Sequence, residues 1–397
     1  MQQIERLRGD GLLPDSDSHD LSPSDLSAED IARKVTARAN GMFLWVKLLF
    51  EYLRLPTLTL RRRLDAIANL NSLQGLDKLY TAIVASLETQ FQGDTDSTVA
   101  NLFCLVAKSK RPLHISEVSV ALTVPLDRAV TTMDTIPRLE LRLGVISGAL
   151  IETDLEGYVK FIHLSTLEFF EDRTEGFCSV SHDYITGVCL SYLNFTIPAK
   201  PLATSSQLTA QALTLRRRFP LLEYCCRYWG QHLLDWFDRG RQNGGLPTGK
   251  EPISSLLDCF LHDANKVTTW IEASWTFSIA PEVCHAMTTT FSRHHAGMPL
   301  RVASTHPWAV KTLDDLKAID EDLKNLKDNW GGVLLKEPNE IWEPSIHAFS
   351  RFRFWAKTSE SKLKSMEDSS DRKAITIQSK LSVSGGEVGI IRLYPSL

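Results

Sequence analysis

Apolar positions recur at helical spacing through most of the first 275 residues, and they divide the chain before any composition is counted. Residues 1–27 read as a loose, polar lead-in. Ser27, with Asp30 three residues on, has the spacing of a variant capping box. It predicts a helix through Ile31 and Val35 to a stop at Asn40-Gly41. Met42 to Leu55 is apolar almost all round, with Lys47, Glu51 and Arg54 on one narrow stripe. That pattern predicts a helix buried on most sides and ended by Pro56. Two further amphipathic helices are predicted over 59–70 and 76–91. Leu76, Leu79, Tyr80, Ile83 and Leu87 mark the inner face of the second.

Over 97–170 the pattern changes. A helix from Val99 to Lys108 is interrupted by Arg111-Pro112-Leu113. Ser116 is placed to cap a second helix with Val118, Val120, Ala121 and Leu122 on its apolar side, and a third is predicted over 127–136, ending before Pro137. Then Leu150 to Thr153, the turn Asp154-Leu155-Glu156-Gly157 and Tyr158 to His163 give a hairpin. Helices followed by one hairpin are the order of a winged helix. A short helix from Ser165 to Phe170 follows.

Helical spacing returns at Tyr184–Phe195, Phe219–Phe237 and Ser254–Leu261, with a Gly-rich loop over 240–249 and Trp270 and Trp275 closing the block. Beyond 276 the pattern weakens. Asp314–Leu326 reads as helix, Gly331–Pro344 as turns and 356–373 as a charged, Ser-rich linker. Ile375 to Tyr394, turning at Gly385-Gly386, reads as a C-terminal β-hairpin, and no internal repeat is visible. The fold class expected is mainly α, with one small hairpin wing and a short β-rich tail.

With 397 residues, 43% of them apolar, the chain can bury the cores of several compact units. A formal net charge of −4 gives no basic footprint for nucleic acid. Met42–Leu55 is too short and too charged to span a membrane, and the first forty residues lack the apolar stretch of a signal peptide. The seven cysteines form no C-x-x-C pair and most sit among apolar neighbours, as reduced core thiols in a cytoplasmic protein would.

Candidate chemistry is sparse. Gly244 to Lys250 satisfies G-x-x-x-x-G-K, but Glu251 stands where a phosphate loop needs Ser or Thr for the metal, and no apolar strand precedes it. Cys284, His285, His294, His295 and His306 fit no standard zinc spacing, so core or surface polar roles describe them better. Gly144-Val145-Ile146-Ser147-Gly148 has one residue too many for a nucleophile elbow. The helix over Ser116–Thr123, taken as the recognition helix, carries Glu117 and no basic residue, and the wing turn carries Asp154 and Glu156. Both oppose contact with phosphates or base edges. Arg61-Arg62-Arg63 and Arg216-Arg217-Arg218 each open or precede an amphipathic helix, as solvated faces or contacts to acidic partners. No cofactor and no metal site is expected.

Five segments resemble, in order, the part of fungal NACHT proteins that follows the nucleotide-binding core. They are Ala39-Asn40-Gly41-Met42-Phe43-Leu44-Trp45-Val46; Gly75 to Tyr80; Arg111 to Val118; Val159 to Phe169; and Pro220 to Tyr224 with Tyr228-Trp229-Gly230-Gln231-His232. This is the winged-helix type also named after the GPI inositol-deacylase, and the likeness covers roughly residues 28–275. The resemblance implies a signalling architecture of the NOD-like receptor (STAND) kind, in which lid and winged helix close over a P-loop domain. Neither Walker motif is present, so nucleotide hydrolysis does not carry over. Such receptors place a His at the end of the winged helix, where it reads the nucleotide's phosphate; Ile162-His163-Leu164 holds a similar position, with Leu164 where the family has Asp. His163 is thus the one family-implied nucleotide sensor, beside its reading as a structural histidine.

The organisation expected is a lead-in over 1–27, a helical lid over 28–92 following an absent NACHT core, a winged helix over 93–175, a helical domain over 176–275 and a mixed region over 276–397. The function expected is a non-catalytic regulatory module that binds a protein partner or itself through the lid and winged-helix face. The competing readings are a winged-helix nucleic-acid binder, which needs a basic recognition face, and an enzyme, which needs a convergent polar cluster.

Overall fold

The computed structural model describes residues 1–14, 27–91, 98–171, 182–202, 208–242, 249–283, 307–343 and 346. The chain is mainly helical, with one small antiparallel sheet. The N-terminal part comprises α1 (Gln2–Gly9), α2 (Ala28–Ala39), α3 (Phe43–Arg54), α4 (Leu60–Ala68), a 3₁₀ turn at Leu70–Leu73, and α5 (Leu76–Gln90). Ser27 caps α2 as its spacing predicts, its Oγ accepting from the Asp30 N–H at 3.1 Å. The helix stops where Asn40 and Gly41 take left-handed φ values of 45° and 79°.

Two expectations fail here. The first residues are not a loose lead-in, because α1 buries Ile4 and Leu7 and packs on α2. A pair of apolar residues three apart is too little signal alone, and tertiary burial decides it. Arg61, Arg62 and Arg63 do not share one solvated face. Arg63 is buried, and its Nε and Nη2 donate to the carbonyls of Leu53 (2.7 Å) and Leu55 (2.9 Å) at the end of α3.

The middle of the chain runs α6 (Thr98–Lys108), β1 (Leu113–His114), α7 (Ile115–Ala121), α8 (Leu139–Ile146), β2 (Ile151–Thr153), β3 (Tyr158–Phe161) and α9 (Leu164–Glu171). The sheet order is β1-β3-β2, all antiparallel, with Leu113 opposite Val159 and Ile151 opposite Phe161. Val159 and Phe161 point into the core, while Tyr158 and Lys160 point out. The hairpin turns at Asp154–Gly157, as expected. Asp154 Oδ1 accepts from the backbone N–H of Glu156 (3.0 Å) and Tyr158 (2.9 Å). Gly157 has φ 89°, and a Cβ there would lie 2.4 Å from His114 Nε2, so the turn needs glycine twice over.

Three details differ from the expectation. Leu113-His114 is a strand, not a mere interruption. His114, not Ser116, is the N-cap of α7. No helix occupies 127–136; the third helix, α8, follows Pro137. Asp134 explains this, because its carboxylate accepts from the Thr131 N–H (2.8 Å), Thr131 Oγ1 (2.7 Å) and the Arg128 guanidinium (2.6 and 2.8 Å). Those local bonds hold a turn where the helix was expected.

The remaining helices are α10 (His182–Ser191), which continues into a π-helical turn at Tyr192–Thr196, α11 (Leu208–Arg218), α12 (Leu222–Gln242), α13 (Pro252–Leu261), α14 (Ala264–Thr276) and α15 (Pro307–Leu334), followed by a 3₁₀ turn at Pro338–Trp342. α11 and α14 are additions to the sequence reading, and Arg216–Arg218 close α11 and precede α12. α15 runs through Gly331 and Gly332, where turns were expected. α12 packs on α10 and α14. Trp229, Phe260 and Trp270 meet edge to face at their centre, with ring centroids 5.4, 5.7 and 6.1 Å apart. The linker over 356–373, the C-terminal hairpin, residues 243–248 of the Gly-rich loop, and Cys284, His285, His294, His295 and His306 lie outside the described residues. Among the described residues no helix is long and apolar enough to cross a membrane.

Candidate functional site

A polar cluster lies where the 109–112 segment meets α12. The long α12 carries Tyr224, His232 and Asp235 on faces set by its helical period. α10 presents His182 from its first turn. His182 Nδ1 and His232 Nδ1 are 3.1 Å apart, and His182 Nδ1 is 3.4 Å from Asp235 Oδ2. On its other edge, His232 Nε2 shares a hydrogen bond of 2.7 Å with Tyr224 OH. The Lys110 N–H donates to the same hydroxyl (3.1 Å), and Lys110 Nζ reaches Asp235 Oδ2 at 2.5 Å. His182, His232 and Asp235 thus turn one ligand atom each toward a common point, all within 4.8 Å of one another.

The electrostatics follow from burial. His232 is fully enclosed, and this, reinforced by His182 and Lys110, pushes its pKa down to about 2. Burial lowers His182 as well, against the opposing pull of Asp235. Burial raises the Tyr224 hydroxyl above the usual phenol range. At neutral pH both rings are therefore neutral, one nitrogen of each carrying hydrogen and the other a lone pair.

Next to this cluster a cavity of about 500 Å³ opens between the sheet and the helical block. Its cations are already matched. Arg111 is bidentate to Glu117 (2.7 and 2.8 Å) and lies over the Tyr224 ring at 5.3 Å, while Arg216 grips Glu223 (2.7 and 3.3 Å). Glu117, which the sequence reading placed on a recognition face, is buried and also accepts from the His114 N–H (2.8 Å).

His163 sits on the exposed rim at the start of α9. Its Nδ1 accepts from the Ser165 N–H (3.1 Å) and lies 2.8 Å from Ser165 Oγ. That hydroxyl meets Tyr80 OH at 2.9 Å, which in turn accepts from Thr166 Oγ1 at 3.0 Å. His114-Ile115-Ser116 makes the same ring-to-amide contact at α7, so His-x-Ser is used twice here as a helix-starting device. Glu251, noted for spoiling the phosphate-loop pattern, accepts from the Gly249 N–H and from Ser254 Oγ, both at 3.0 Å, at the start of α13.

Large apolar side chains stand exposed around the central unit. On α8, Leu141 and Val145 are 70% and 56% exposed one turn apart; Phe43 opens α3 at 89%, and Leu164 follows His163 at 64%. Sequence reasoning missed the His182–His232–Asp235 cluster. Its only local signal is His232-Leu233-Leu234-Asp235, two ligand types three apart on a helix; His182 lies fifty residues away.

No family model matches this chain, and no solved structure matches it. The chain is 25% identical over 214 residues, 49% of its own length, to the azaphilone pigments biosynthesis cluster protein L of Monascus ruber, and the match spans 41% of that protein.

Proposed function

We propose that this chain is a non-catalytic, protein-binding regulatory module of the NACHT-type signalling kind, with residues 98–171 as a winged helix at its centre. The observation that carries the reading is α8. The order α6-β1-α7-α8-β2-β3 makes α8 the helix before the wing, the place of a recognition helix, and it presents Leu141 and Val145, with Glu140 and Arg142 exposed beside them. A helix that offers two exposed aliphatic side chains at i and i+4 suits a protein surface, not base edges. Phe43 and Leu164 extend the exposed apolar character to the lid helix α3 and to the neighbourhood of His163.

Support for the non-catalytic part comes from the two histidines. Among the described residues the hydrogen-bond partners of the two rings are each other, Asp235 and Tyr224, and none is a Ser, Thr or Cys side chain that they could activate as a nucleophile. A nucleotide-sensing role for His163 rests on the family likeness; its Nδ1 is committed to the Ser165 amide, which leaves Nε2 for a phosphate.

The test is light scattering and hydrophobic-dye binding of the purified chain, beside the double variant Leu141→Ser/Val145→Ser. Self-association or dye binding that falls in the variant, with unchanged circular dichroism, is the expected result. A monomer that binds no dye, or tight salt-dependent binding to duplex DNA, would replace this reading with a self-contained protein or a nucleic-acid binder.

A further inference from the structure

We propose that His182, His232 and Asp235 form a binding site for a zinc-type divalent transition-metal ion that fastens α10 to α12. The donor set is two neutral imidazoles and one carboxylate, a combination that suits Zn²⁺ and its neighbours and not Mg²⁺ or Ca²⁺. The spacing agrees. Ligand atoms held about 2.0–2.1 Å from a tetrahedral ion lie roughly 3.3–3.4 Å from each other. His182 Nδ1 is 3.1 Å from His232 Nδ1 and 3.4 Å from Asp235 Oδ2.

The surroundings are those of a metal ligand. Tyr224 OH engages His232 Nε2 at 2.7 Å and so fixes the ring with Nδ1 toward the common point. Two Nδ1 atoms 3.1 Å apart require a proton between them when no ion is bound, because two lone pairs would repel. A metal ion takes that proton's place, and the ring that carried it becomes the Nε2–H tautomer, so that both ligands stay neutral imidazoles. The buried His232 has nowhere else to send its Nδ1, whereas the side chains of His182 and Asp235, 20% and 30% exposed, give an ion a way in.

Lys110 is the competitor. Its ammonium sits 2.5 Å from the Asp235 oxygen that would bind the ion, so binding must displace it. The backbone N–H of Lys110 stays on Tyr224 OH, so displacement frees the Lys110 side chain and leaves the main chain anchored. A bound ion would thus exchange the Lys110–Asp235 ion pair for a metal link between α10 and α12.

The experiment is titration of the full chain, reduced and freed of metal, with Co²⁺ followed by visible absorption, and with Zn²⁺ against a chromophoric chelator. We expect one equivalent bound, with tetrahedral d–d bands and without the near-ultraviolet charge-transfer band of a thiolate. Asp235→Asn and His182→Gln should each weaken binding at least about tenfold, and Tyr224→Phe by about 10–100-fold. Lys110→Met should tighten it, a gain that a merely destabilised fold would not produce. Thiolate bands in the cobalt spectrum, binding unchanged in Asp235→Asn, or no stoichiometric binding in either the wild type or Lys110→Met would overturn the proposal. The Lys110→Met titration decides the matter even if the His182 variant fails to fold.

Discussion

Removing the Arg63 side chain should destabilise the fold far more than removing its neighbour's. Arg63 is buried on α4, and no carboxylate pairs with it among the described residues. Its charge is instead spread over carbonyls at the C-terminal end of α3, where the helix has run out of donors of its own. The Leu55 carbonyl keeps a second partner, the Leu58 N–H at 3.2 Å. Pro56, three residues on from Leu53, has no N–H, and no backbone N–H beyond α3 bonds the Leu53 carbonyl among the described residues, so Arg63→Met leaves that carbonyl buried and unsatisfied. An orphaned buried carbonyl costs about 1–3 kcal/mol, and a lost bond to a charged donor about 1.5–3 kcal/mol. These overlap, so about 3 kcal/mol is expected. Exposed Arg62→Met should stay within about 0.5 kcal/mol. Arg63→Lys should recover part of the loss, since one ammonium can reach one carbonyl but cannot fork across two. Urea unfolding followed by circular dichroism measures all three. Equal midpoints for Arg63→Met and Arg62→Met would refute the argument and return the arginine run to a solvated face.

Three other outcomes are expected. With chelator present, stability should fall on acidification through His232: the unfolded chain takes up a proton below about 6.5 while the folded ring stays neutral down to about 2. Its contribution is whole above about pH 6.5 and is lost as pH falls toward 2, about 2 kcal/mol of it by pH 5; His232→Gln should flatten that slope between pH 6.5 and 5, and an unchanged slope refutes it. Trp45→Ala should cost about 3–5 kcal/mol in urea unfolding. Trp45→Phe should cost more than Trp229→Phe, because Trp45 Nε1 donates to the Leu73 carbonyl at 2.7 Å while Trp229 Nε1 has no partner among the described residues; the reverse order would contradict this. Titration calorimetry with Mg-ATP should show no tight binding, and micromolar binding abolished in Lys250→Ala would contradict it.

The parts of the fold legible in the sequence are those whose signals are local. Ser27 and Asp30 cap α2 within one turn, Asn40-Gly41 ends it, and Asp154 to Gly157 close a hairpin through bonds made inside the loop. The failures are places where distant groups or competing local bonds decide. Asp134 holds a turn over residues expected to be helical, α1 exists because α2 covers Ile4 and Leu7, and Arg63 is buried because α3 ends beside it. The metal-type cluster is of the same kind. Tyr224, His232 and Asp235 are readable as one helix face, but their partner His182 arrives from a helix whose placement depends on the whole block.

At the cavity beside α12 the structure shows how the cations are matched, which net charge cannot tell. Composition gives −4, which a basic patch on one face could still evade. In the segment that crosses from α6 to β1, however, the basic side chains turn inward. Lys110 holds Asp235, and Arg111 is bidentate to buried Glu117 while stacking on Tyr224. Arg216 from α11 is likewise spent on Glu223 across the same cavity. A phosphate entering there would have to break a bidentate pair and leave a carboxylate behind it, an exchange that gains little because each guanidinium already has an anion. The same residues also tie the sheet-bearing unit to α12 through backbone, ring and ion pair at once. Displacement of Lys110 from Asp235 is the smallest change that would loosen this junction, because it removes one of those three ties and leaves the other two in place.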